Sequence, residues 1–123
     1  MRIHINFDNT FDFAEDEYGL EKINKDEVIM ESERITIQYD YGLEEQIKIT
    51  YGLYEEKNGF TKRDLAEIIL KEYERFQAED KMLESLYYDI NNFSLIGIII
   101  EINNENDDRN RIFIKPKIFN YNE

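Results

Sequence analysis

The residues that could do chemistry in this chain are few. Among 123 residues there is no cysteine and a single histidine, His4. Disulfides, thiolate metal sites and cysteine nucleophiles are therefore excluded, and serine–histidine pairs or zinc sites have almost no material. Carboxylates remain. Asp40, Asp64 and Asp89 fall near turns or a helix start, where acids could share general acid–base work. Each also has a structural use: Asp40 ends a strand, Asp64 suits the first turn of a helix, and Asp89 suits a turn or cap. His4 lies on the polar side of an alternating segment, as surface residues do. Asn103, Asn104, Asn106, Asp107 and Asp108 offer oxygen donors of the kind calcium takes, but without EF-hand spacing. The five glycines are scattered, with no phosphate-loop pattern. No catalytic residue, metal site or cofactor is expected.

Charge says more. Twenty-eight acidic residues against fifteen basic ones give a net charge of −13. Such a surface repels nucleic acid and anionic membranes and attracts basic partners, so direct contact with DNA or RNA is not expected. Between Asp8 and Glu33 ten acids face two lysines, which leaves −8 of the −13 in one stretch. Within it Asp8, Asp12, Glu15, Asp16, Glu17, Glu21, Asp26 and Glu27 are the candidate partner-binding residues, for a basic protein. The plainer use of the same stretch is solubility.

The elements that must position these residues can be read from periodicity. A length of 123 residues with 41% hydrophobic content suits one domain, residues 1–123, with one core. The longest apolar run, Leu95–Ile100, is far too short to span a membrane, and the N-terminus lacks a secretory pattern, so an intracellular protein is expected. Ile3, Ile5 and Phe7 alternate as a strand. Residues 8–24 show no clean period. Ile35, Ile37, Tyr39 and Tyr41 form one strand face, and Ile47, Ile49, Tyr51 and Leu53 the next, joined by a turn at 42–45. Thr61 is a helix N-cap, with Phe60 and Leu65 at staple spacing. The helix runs from Lys62 to about Glu79, turning Leu65, Ile68, Ile69, Tyr73 and Phe76 to the core. A second helical piece through Met82, Leu83 and Leu86 is expected, broken at 89–92. Phe93–Ile102 reads as a central strand, Arg111–Ile114 as its return, and Lys115-Pro116-Lys117 as edge protection. The fold class is α+β: a mainly antiparallel sheet of about five strands with one long helix packed on a face.

Several of these segments share a wording. I-T-I-Q-Y-D-Y-G-L (35–43), G-F-T-K-R-D-L-A from Gly59, and Tyr73 and Asp80 later in the helix resemble a small uncharacterised family associated with large DNA viruses of protists and with algae and plants. Its members carry a Tyr-Asp-Tyr strand, a Phe-Thr-Arg-x-Asp-Leu helix start and an Asp-Ile-x-Asp-Leu-x-Leu-x-Gly segment. Asp89, Ile90, Leu95 and Gly97 match that segment, while Asn92 and Phe93 approximate it. The resemblance covers roughly Ile35 to Ile114 and leaves the acidic stretch outside. Tyr88 stands where the family tends to carry histidine, and the connection after the helix is shorter here. The family has no assigned activity, so the resemblance implies a fold and no reaction.

Three functions fit these observations. The first is a non-catalytic interaction domain that engages a basic protein through the acidic stretch, aided by some of the nine tyrosines. The second is a DNA mimic, viral or anti-defence in character, that inhibits a nucleic-acid-binding protein. The third is a small enzyme working with carboxylates alone.

Overall fold

The computed structural model describes residues 2–13, 28–53, 59–84, 88–103 and 111–121. Over these it forms β1 (Arg2–Asp12), β2 (Val28–Met30), β3 (Arg34–Tyr39), β4 (Ile47–Gly52), β5 (Phe60–Thr61), α1 (Lys62–Ala78), β6 (Phe93–Asn103) and β7 (Arg111–Asn120). A short 3-10 turn, Ile90–Asn92, leads into β6.

Local chemistry sets both ends of α1. Thr61 Oγ1 accepts the Asp64 amide at 3.0 Å, and Asp64 Oδ2 accepts the Thr61 amide at 3.0 Å. Two amides that the helix itself cannot satisfy are thus bonded reciprocally, a capping box with aspartate in the usual glutamate position. Phe60 and Leu65, on either side of the cap, are both buried. At the other end the Lys81 amide donates to the Phe76 carbonyl at 2.9 Å and the Asp80 amide to the Gln77 carbonyl at 3.3 Å. Asp80 itself takes φ +56°, which completes a Schellman motif.

That ending corrects the expectation of a second helical piece. Once Asp80 has turned left-handed, the chain runs back beside the loop after β3. Glu44 donates to the Lys81 carbonyl, Leu83 to the Gly42 carbonyl, and Met82 bridges Leu43. Leu86 lies outside the described residues.

The main sheet has the order β1-β6-β7-β3-β4, and β2 pairs separately with β5. All neighbours are antiparallel except β3 and β7, which run parallel. The expected architecture is the observed one, an α+β fold with one long helix laid on one sheet face. Residues paired across strands share a face, so Ile98, Ile100, Ile114, Ile37 and Ile49 line the helix side together. The helix adds Leu65, Ile69, Leu70, Tyr73 and Phe76, all fully buried. Rings of Tyr73 meet those of Tyr39, Phe13, Phe76 and Phe93 edge-to-face, with centroids 5.3–6.4 Å apart. Burying each such side chain contributes about 1.5–3 kcal/mol.

One expectation about the C-terminal strand is revised. Lys115-Pro116-Lys117 does not protect a sheet edge, because β7 lies between β6 and β3 and continues to Asn120. Proline is tolerated because β3 registers with β7 only at Phe113 and Ile114. Pro116 lies beyond that contact, where a missing amide leaves no registered β3 bond unmade.

Candidate functional site

The three acids considered for catalysis do not form one site. Asp64 belongs to the helix cap. Asp40 is exposed at the end of β3, where its carboxylate accepts a hydrogen bond from Gln38 Nε2 at 2.9 Å. Asp89 caps the turn before β6, accepting the Asn91 amide at 3.0 Å. Asp40 raises the pKa of Tyr73 by its charge and so lies near it, nine residues and about 13 Å along the helix from Asp64. Among the described residues no group of three or more potential metal ligands occurs. Of the oxygen ligands considered for calcium, 104–108 lie outside the described residues, and of Asn103 only the backbone is described.

Under the helix a polar chain crosses the core. Tyr51 donates to Glu72 Oε1 at 2.8 Å, so the 2.8 Å contact between the Tyr39 and Tyr51 hydroxyls has Tyr39 as donor. Arg75 Nε closes the chain on Glu72 Oε2 at 3.0 Å. Burial pushes the Tyr39 phenol far above its ordinary range, and the neighbouring Tyr51 and Glu72 add to the effect. The Tyr73 phenol is raised by burial and by Asp40, and it donates to the Tyr41 carbonyl at 2.9 Å. These hydroxyls are held neutral and bonded, as structural tyrosines are. A cleft of about 290 Å³ opens beside them between Leu53, Phe60 and Ile68. Its charged rim is already paired, Asp64 in the cap and Glu67 with Lys71 at 2.6 Å.

Of the acidic stretch, residues 14–27 lie outside the described residues, and with them Glu15, Asp16, Glu17, Glu21, Asp26 and Glu27. Asp8 lies in β1, its side chain likewise outside them. Asp12 is half-buried on the face opposite Phe11 and Phe13, where its carboxylate accepts hydrogen bonds from Ser94 and from the Tyr121 hydroxyl, the latter at 2.9 Å. Glu31 and Glu33 are exposed.

The sheet face away from the helix carries a different charge. Arg2, Glu101, Phe113, Thr36 and Thr50 form one row across all five strands. His4, Ile99 and Lys115 form the next, with Lys48 toward the far edge, and Asn6, Gly97 and Lys117 the third. Contacts knit the rows together: Arg2 and Lys115 both reach Glu101, at 2.8 and 3.3 Å, and Lys117 donates to Asn6 at 3.1 Å. The Lys48 ammonium stands 4.6 Å over the Phe113 ring. Partial burial pushes Glu101 up, but Lys115 and Arg2 outweigh it and hold its carboxyl below the usual range. With Arg34, five cations share this face with three carboxylates among the described residues, Glu101 within the rows and Asp12 and Asp40 at the end where β3 stops and β6 begins.

That same end carries two exposed rings. Phe119 is 45% and Tyr121 55% exposed, packed edge-to-face 5.2 Å apart. The Tyr121 hydroxyl donates to Asp12 and accepts from Ser94 Oγ, each at 2.9 Å, which fixes the ring while leaving it open to solvent. Sequence reasoning missed this face because it stopped the last strand at Ile114. Carried through the proline, the alternation is plain: Phe113, Lys115, Lys117 and Phe119 on one side, Ile112, Ile114, Pro116 and Ile118 on the other.

Comparison of the chain with protein-family models, curated proteins and solved structures gives no match. Among the described residues no helix is long and apolar enough to cross a membrane.

Proposed function

We propose that the protein is a non-catalytic interaction domain that engages a basic protein partner through its acidic stretch, residues 8–33. The observation that carries this reading is charge segregation: −8 of the net −13 lies in that stretch, while the open sheet face holds mainly cations. Asp40, Asp64 and Asp89, the acids best placed for catalysis, each hold a turn, a cap or a neighbouring amide, which favours binding over reaction. Attraction between unlike patches speeds encounter and selects partners by charge.

The test compares the protein with a variant in which Glu15, Asp16, Glu17 and Glu21 become their amides. Both are passed through nuclease-treated lysate of the source or host at ~0.1 and ~0.5 M salt, a range over which the Debye length roughly halves. A basic protein held by the parent at low salt, and lost both at high salt and on the amide variant, is the expected result. Identical capture by parent and variant would remove the acidic stretch from the proposal. If the captured protein binds DNA and DNA displaces it, the interaction is mimicry.

A further inference from the structure

We propose that the open face of the sheet is a second binding surface, and that its ligand is single-stranded nucleic acid. This inference does not rest on the partner proposed for the acidic stretch, although Asp12 of that stretch holds the Tyr121 hydroxyl. Single strands are bound by two features acting together, cations that follow the phosphates and exposed rings on which bases stack. Both occur on this face. Lys115 and Lys117 point outward from β7, and Lys48, Arg2 and Arg34 flank them on neighbouring strands. Phe119 and Tyr121 stand exposed at one end of the outward row of β7, while at the other end Phe113 is half-buried under the Lys48 ammonium and offers no free face. At about 3.4 Å per residue the row from Phe113 to Tyr121 is about 27 Å long, enough for several nucleotides.

The rings decide between ligands of the same charge. An acidic peptide satisfies the lysines but has no use for an exposed ring fixed through its hydroxyl, as Tyr121 is. A duplex presents phosphates but keeps its base faces stacked internally. Only an unpaired strand uses both. The chain's overall charge opposes any polyanion, yet at 0.15 M salt the Debye length is about 8 Å. Local cations therefore govern contact on this face more than remote carboxylates do.

The experiment is fluorescence anisotropy of the full chain with a labelled 20-nucleotide oligothymidylate, a duplex of equal length and polyglutamate as competitor. Five cations less Glu101, Asp12 and Asp40 leave two net positive charges, which predict an affinity loss of roughly sevenfold between 50 and 200 mM salt. Lys48→Gln with Lys117→Gln removes two of the cations, lowering affinity and flattening the log–log salt slope by about 1.4. Tyr121→Ala weakens binding roughly five- to hundred-fold while leaving the slope unchanged, because stacking releases no counterions. If Tyr121→Ala lowers the melting temperature, Phe119→Leu serves instead, since Phe119 has no hydroxyl bond to lose. Equal affinity for strand and duplex, efficient displacement by polyglutamate, or no binding at 50 mM salt each overturns the proposal. None of these results bears on capture of a basic protein by residues 8–33.

Discussion

Tyr51 is the hinge of the hydroxyl-to-hydroxyl-to-carboxylate chain under the helix, since it receives from Tyr39 and gives to Glu72. Tyr51→Phe leaves the Tyr39 donor without its acceptor and Glu72 with Arg75 alone. The expected loss is about 1–3 kcal/mol, read as a lower urea midpoint at unchanged m-value. The same group of phenols fixes the alkaline behaviour. Burial raises Tyr39, Tyr51 and Tyr73 above the value of about 10 that they have in an unfolded chain. Below pH 10 both states hold these protons and the stability is complete. Above it the unfolded chain releases protons that the folded chain keeps, so stability falls as pH rises. Urea titrations at pH 8, 10 and 11 should show a falling midpoint, with the buried phenolates absorbing at 295 nm only as the protein unfolds. Thr61→Ala, which opens one half of the capping box, should cost about 1 kcal/mol. Asp80 offers the opposite case. Its left-handed backbone is one that glycine adopts without strain, so Asp80→Gly should stabilise by roughly 0.5 kcal/mol, visible as a higher melting temperature.

At the scale of elements, legibility followed how many signals agreed. The helix was readable because cap, staple and apolar stripe all pointed to Lys62–Ala78. Its continuation was misread because the residue that stops it is aspartate rather than glycine, and only the backbone reveals the left-handed turn. β3 and β4 were readable from alternation, whereas β7 was cut short at a proline that its unpaired flank tolerates. Ile69 tests the helix face: it is fully buried, and Ile69→Ala should cost about 2–5 kcal/mol by leaving a cavity. Gly97 tests the β1–β6 seam. A β-carbon there would stand 2.3 Å from the Ile5 carbonyl oxygen, so Gly97→Ala must push the strands apart and lower the melting temperature.

For the whole molecule, total charge was legible and its distribution was not. A sum of −13 treats Lys48 and Lys117 as cancelled by distant acids, while strand register gathers them on one face. Register depends on pairings between residues up to about a hundred positions apart, such as Arg2 with Glu101, which no local pattern announces. The order β1-β6-β7-β3-β4 also fixes when this protein can exist. The two strands made last, β6 and β7, sit between the strand made first and the pair made third and fourth. A chain leaving the ribosome therefore holds β1 and the β3–β4 hairpin as separate, open-edged pieces until β6 and β7 arrive to join them. Completion of the sheet must follow synthesis of β7, and the wait exposes unpaired strands to any chaperone or like chain nearby.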